Sequence, residues 1–160
     1  MAQEIERKFL VTGDGWRSGQ RITIRQGYLS TEPERTVRVR TKADSTTGKT
    51  HAYLTIKGNT EGASRAEYEY EIPVDDTNEL LDRLCQRPLI EKHRYTLEHG
   101  DMTWEVDEFF GDNAGLVVAE IELESADQHF IHPPWLGQEV TNDHRYFNAS
   151  LTQHPYREWL

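Results

Sequence analysis

The sequence predicts an α+β domain organised around an antiparallel sheet or barrel, with one face of that sheet densely ionised. At least five segments alternate charged and apolar residues with the two-residue period of a β-strand, and only two or three short segments carry helix signals. The length, 160 residues, suits one domain with a substantial core, and no repeat, linker or low-complexity tract divides the span 1–160.

The first strand is read over 3–10, where Glu4, Glu6 and Lys8 share one face and Ile5 and Phe9 the other. A second follows over 21–30 after the turn Thr12-Gly13-Asp14-Gly15, and a third over 35–42, with Arg38 and Arg40 opposite Val37 and Val39. Two guanidinium groups at that spacing repel, so such a face calls for an anion. The fourth, over 51–58, brings Lys57. The fifth, over 65–74, sets Arg65, Glu67, Glu69 and Glu71 against Ala66, Tyr68, Tyr70 and Ile72. Helix signals then begin at Asp76-x-x-Glu79, continue through an apolar stripe of Leu80, Leu81 and Leu84, and stop at Pro88. Strands over 91–98, 102–109 and 116–124 carry Lys92 and Arg94, Glu105 and Asp107, and Glu120, Glu122 and Glu124. A short helix is expected over 126–130, with Ser125 and Gln128 as a capping box and Pro133-Pro134 beyond it, and a last one over 146–153.

Two architectures satisfy these stripes. An open sheet turns its charged faces to water. A closed barrel turns them inward, under an apolar outer surface covered by helices and loops, and must fill its polar lumen with ions or ligand. Because the stripes are sorted by sign, neighbouring strands must pair opposite charges or gather around a shared ligand.

The net charge of −10 argues against general nucleic-acid binding, although a small polyanion fits if the basic residues are concentrated. Carboxylates beside such a ligand make sense when Mg²⁺ or Mn²⁺ bridges the two. No apolar run approaches a membrane span and no leader is recognised, so a cytoplasmic location without membrane contact is expected. The single Cys85 lies among leucines and reads as core. The histidines lack zinc-site spacing, Gly58 to Gly62 reads as a flexible turn, Trp135 as a packing anchor, and Tyr68 and Tyr70 as outward residues packed under a helix.

The ordered set Glu4-x-Glu6-x-Lys8, Arg25-Gln26-Gly27-Tyr28, Val37-Arg38-Val39-Arg40, Lys57, Glu67-Tyr68-Glu69, Glu91-Lys92-x-Arg94-Tyr95, Glu120-x-Glu122 and Glu139-Val140-Thr141 resembles the CYTH superfamily, also called triphosphate tunnel metalloenzymes. The resemblance implies an eight-stranded antiparallel β-barrel, a tunnel with a charged lumen, flanked by two or three helices. It further implies metal-dependent hydrolysis of inorganic triphosphate to pyrophosphate and phosphate, a small-molecule reaction with no nucleic-acid partner. By the same resemblance Lys8, Arg38, Arg40, Lys57, Arg94 and, from the C-terminal segment, Arg145 hold phosphate oxygens. Glu4, Glu6, Glu67, Glu120 and Glu122 are the metal candidates. Lys92, Tyr28, Glu69 and Asp107 are the candidates for the chemistry itself. A thiamine or nucleoside triphosphatase, a class IV adenylyl cyclase and a non-catalytic polyphosphate- or nucleotide-binding module are the alternatives, and the sequence leaves open whether the chain forms a homodimer.

Overall fold

The computed structural model describes residues 3–159. Strands β1 (Gln3–Val11), β2 (Gln20–Ser30), β3 (Thr36–Asp44), β4 (Lys49–Lys57) and β5 (Ser64–Ile72) precede helix α1 (Val74–Arg83). Strands β6 (Ile90–His99), β7 (Met102–Phe109), β8 (Val117–Glu122) and β9 (Leu136–Glu139) precede helix α2 (Asn148–Gln153). All pairings are antiparallel, in the order β5-β4-β3-β2-β6-β7-β8-β1-β9, and β1 also pairs with β5, which closes eight strands into a barrel.

β1 is the seam. Its first residues pair with β5 (Glu4 opposite Arg65), its middle with β8 (Glu6 opposite Glu122, Lys8 opposite Glu120), and its end with β9. Gly137 lets β9 approach, because a Cβ there would lie 2.9 Å from the Leu10 carbonyl oxygen. Four residues are too few to show a strand period, so the sequence reading did not resolve β9.

The main apolar packing lies outside the barrel wall. Phe9, Trp104, Val106, Ala119 and Ile121, on the outward faces of β1, β7 and β8, are buried beneath Trp16 and Trp135. Trp135 meets Trp104 edge to face at 5.6 Å, the anchoring expected of it. α1 and the turn after it cover β3, with Leu81 and Cys85 against Val39. A third cluster is internal. Ile90, Phe109 and Val118 share strand faces with Lys92, Asp107 and Glu120 and pack with Tyr146 and Leu151 from the C-terminal segment, plugging the barrel.

Several local expectations are corrected. No helix forms over 126–130. Five residues close too few backbone bonds to offset helix nucleation, and Gln128 instead accepts the Glu124 amide at 2.7 Å while Phe130 packs on Trp104. α1 begins at Val74, two residues before the expected cap, and Leu84 at its C-cap is 65% exposed, off the apolar stripe. Tyr68 and Tyr70 point outward as expected but are exposed, because α1 covers β3 and β4 rather than β5.

Trp104 is fully buried in the outer cluster, so Trp104→Ala should destabilise the fold by about 3–5 kcal/mol. Tyr70→Ala should change stability by no more than about 0.5 kcal/mol, and urea unfolding of both variants checks the contrast.

Candidate active site

The inward positions of the barrel line a cavity of about 310 Å³. Lys8, Arg38, Arg40, Lys42, Lys57, Arg65, Lys92 and Arg94 supply eight cationic side chains to it, and Glu4, Glu6, Glu67, Glu69, Glu105, Glu120 and Glu122 supply seven carboxylates. The chain as a whole carries 18 Lys and Arg against 28 Asp and Glu, so the cavity is locally cationic in an acidic protein.

Cross-strand register sorts these charges into groups. Where β1, β4 and β5 meet, Glu4 accepts from Lys57 Nζ at 2.7 Å and Arg65 Nε at 3.0 Å. Burial opposes ionisation there, but the two cations outweigh it and hold the Glu4 pKa down at about 2. Between β1 and β8, Lys8 Nζ bridges Glu6 at 3.1 Å and Glu120 at 2.9 Å. Glu120 is held ionised against its burial by Lys8, whereas burial and the neighbouring Glu120 raise Glu6 to about 7. Glu67 and Glu122 are also raised, by burial first and then by Glu4.

On β6 and β7, Asp107 is buried under two cations, with Arg94 Nε at 2.8 Å and Lys92 Nζ at 2.8 Å. Burial opposes its ionisation, yet Arg94 and Lys92 prevail and bring its pKa to about 2. Asp107 itself does not line the cavity; it orients Lys92 and Arg94, which do. Burial depresses Lys92 to about 7, with Asp107 opposing and Arg94 reinforcing the shift. Lys92 makes no hydrogen bond to Tyr28 among the described residues. Its ammonium instead donates to Asn148 Oδ1 at 2.9 Å and is ion-paired with Asp107.

The β3 arginines are under-compensated. Arg38 and Arg40 are buried, meet a single carboxylate, Glu69, at 3.7 and 3.5 Å, and each leaves its Nε without a partner, although Arg38 also donates to Thr55 Oγ1 at 3.2 Å. Burial, Arg38 and Arg94 depress Arg40 to about 9. Glu69 is positioned by Thr55 Oγ1 at 2.7 Å. Two buried guanidinium groups with free donors are a site for an anion of several charges.

Arg145 is corrected: it lies outside the cavity lining, its guanidinium bound to Asp143 at 2.7 Å and set over the Trp159 ring. Arg65 and Lys42, read only as members of strands or not at all, do line the cavity. Both continue the inward periodicity of Glu67 and Glu69, and of Arg38 and Arg40, by one step, which is the signal that finds them. Asn148 had no such signal.

Oxygen ligands predominate on the β1, β5 and β8 wall, which suits Mg²⁺ or Mn²⁺ chemically. Among the described residues no three Asp, Glu, His or Cys groups form a ready cage. The wall therefore fits an ion held by one or two carboxylates, with water and phosphate oxygens completing its sphere.

The CYTH domain profile matches residues 2–156. The chain belongs to the CYTH domain family. Within it, the chain is 48% identical over 160 residues to an inorganic triphosphatase of Acetivibrio thermocellus, covering 99% of each sequence. An inorganic triphosphatase of Nitrosomonas europaea is 39% identical over 152 residues, 92% of this chain and 95% of that protein. A solved inorganic triphosphatase superposes with a TM-score of 0.63 at 36% identity, over 92% of this chain and 96% of the other. The closed antiparallel CYTH barrel with its charged interior is thus the architecture of this chain, in place of the open-sheet alternative. None of its helices in the described residues is long and apolar enough to cross a membrane.

Glu6 sets a pH dependence. The folded state holds its proton to about pH 7, whereas the unfolded chain releases it near its ordinary value of 4.5. Stability therefore falls as pH rises through that interval, and the deficit persists above it. In chelator at pH 8, Glu6→Gln should be more stable than the unsubstituted protein by on the order of 1–3 kcal/mol, and the difference should vanish near pH 4. Thermal melts at the two pH values measure it; equal stability at pH 8 would show that Glu6 is not strained.

Proposed function

We propose that the protein is a divalent-metal-dependent hydrolase that cleaves inorganic triphosphate to pyrophosphate and orthophosphate. The observation that carries this reading is the pair of buried, under-compensated arginines, Arg38 and Arg40, inside a barrel cavity lined by eight cationic and seven acidic side chains. The names of the full-length relatives support the same substrate class.

Lys8, Arg38, Arg40, Lys57 and Arg94 bind the phosphate oxygens, joined by Arg65 and Lys42 at the ends of their strands. A triphosphate carries about four to five negative charges, and cations in a water-poor lumen stabilise it and the charge that develops on the leaving group far better than exposed ones do. Glu4, Glu6, Glu67, Glu120 and Glu122 form the wall that would hold Mg²⁺ or Mn²⁺. When bound, that ion supplies charge neutralisation and orientation of the phosphate oxygens. Glu69 positions Arg38 and Arg40, and Asp107 positions Lys92 and Arg94. Tyr28, buried and opposite Arg38 in the β2–β3 register, offers its hydroxyl to the phosphate chain.

Lys92 is the general base. With its pKa brought down to about 7, a fraction of it is a neutral amine at neutral pH. Water oxygen forms a bond to the terminal phosphorus as the bond from that phosphorus to the bridging oxygen breaks. The electron pair leaves with pyrophosphate, the water proton passes to Lys92, and Lys92 returns it to solvent. The substrate of this phosphoanhydride hydrolase is a small molecule, and a cytoplasmic location is proposed with it.

Phosphate release from tripolyphosphate, ATP and thiamine triphosphate, each with Mg²⁺, Mn²⁺ or chelator, tests the reading. Tripolyphosphate should be cleaved in preference, only with a divalent ion, and to equimolar pyrophosphate and phosphate. Arg38→Ala should lose roughly 10²–10³-fold in kcat/KM. Preference for an organic triphosphate would move the specificity to another CYTH activity, and binding without turnover would make the protein a polyphosphate-binding module.

A further inference from the structure

One aromatic side chain of the C-terminal segment lies among charges rather than in the apolar plug. Phe147 stands between the 3₁₀ turn His144–Tyr146 and α2. Tyr146 before it and Leu151 after it are buried in the plug, whereas the half-buried Phe147 ring lines the main cavity. The same ring lines a small adjoining recess of about 10 Å³, shared with Glu4, Glu6, Lys8 and Arg65. That recess has room for at most about one water.

Two cations converge on this ring. Arg65 Cζ lies 5.4 Å and Lys8 Nζ 5.7 Å from its centroid, both within the range of cation–π attraction. They are like charges that repel each other. Both also hold the acidic wall, since Lys8 donates to Glu6 and Glu120, and Arg65 donates through Nε to Glu4. The His144 ring stacks on Phe147 at 4.7 Å and fixes its orientation.

An aromatic face attracts a cation without carrying a charge or accepting a strong hydrogen bond. It therefore restrains Lys8 and Arg65 and leaves their charge for an anion, whereas a carboxylate in its place would neutralise them and repel phosphate. Cations already held in place lose less freedom when the anion arrives, which strengthens binding. We propose that Phe147 is a positioning residue that holds the Lys8 ammonium and the Arg65 guanidinium at the acidic wall for the phosphate oxygens of the substrate. This inference rests on the reading of the cavity as a triphosphate site.

The test is titration calorimetry of tripolyphosphate in chelator with the unsubstituted protein, Phe147→Leu, Phe147→Tyr and Arg38→Ala, with thermal melts of each. Phe147→Leu keeps the apolar bulk and removes the aromatic face, so it should melt cooperatively and bind about 5- to 30-fold more weakly. Phe147→Tyr restores the face and should recover affinity to within about three-fold. With Mg²⁺ the loss in Phe147→Leu should appear in KM for tripolyphosphate hydrolysis, with kcat changed less than about three-fold. Equal or tighter binding by Phe147→Leu, Phe147→Tyr as weak as Phe147→Leu, or a loss confined to kcat would each overturn the inference. Should Phe147→Leu fail to fold, Phe147→Met, also apolar and without an aromatic face, takes its place. Arg38→Ala separates the two levels. If it binds tripolyphosphate as tightly as the unsubstituted protein, the cavity is not the triphosphate site and both readings fall, whereas weak binding by Arg38→Ala beside an unaffected Phe147→Leu removes only the role given to Phe147.

Discussion

Charge compensation inside a closed barrel is the constraint on which the rest of this structure depends. Fifteen ionisable side chains share a cavity of about 310 Å³, and an isolated charge in such a place would cost several kcal/mol in lost hydration. The strands meet this by register. Lys8 stands opposite Glu120, Glu4 opposite Arg65, Lys57 opposite Glu67 and Arg94 opposite Asp107, so closing the barrel and neutralising its interior are one event. Arg38 and Arg40 are not neutralised in this way, each keeping an unpartnered Nε, and both line the cavity.

Turning the charges inward forces the apolar faces outward, where they need cover. The segment around Trp135 and the turn carrying Trp16 shield β1, β7 and β8, and α1 shields β3. The outer face of β5 is left bare, which is why Tyr68 and Tyr70 are exposed. The same logic accounts for the plug. Below Lys92 and Asp107 the inward positions become Ile90, Phe109 and Val118, and the C-terminal segment fills that end while bringing Asn148 to Lys92. Structure and proposed chemistry meet at this point, since the segment that plugs the barrel also hydrogen-bonds the lysine proposed as base.

Strand periodicity made most of the site legible. Glu4, Glu6, Lys8, Arg38, Arg40, Lys57, Glu67, Glu69, Lys92, Arg94, Glu120 and Glu122 all line the cavity, because alternation along a strand assigns a face before any fold is known. Lys42 and Arg65 were accessible by the same rule carried one step further. Asp107 is on the predicted face yet sits behind Lys92 and Arg94, a difference of depth that periodicity does not encode. Arg145 follows no strand, and its neighbour Asp143 captures it at 2.7 Å. The helix expected over 126–130 had a capping pattern but too little length, and tertiary contacts of Phe130 took precedence over local propensity.

By itself the sequence determined that the strands each carry a charged and an apolar face, and which residues share those faces. Those facts are local, because the two-residue period is a property of a single strand. Whether the charged faces met water or one another was a matter of closure, and closure depends on β1 pairing with β5 across more than fifty residues of chain. Only the tertiary structure decided which charges neutralise each other, which arginines remain under-compensated, how far burial brings Lys92 down, and that an asparagine from the C-terminal helix reaches it. Each of these depends on distances between segments remote in sequence, and on a dielectric environment that exists only once the barrel is shut.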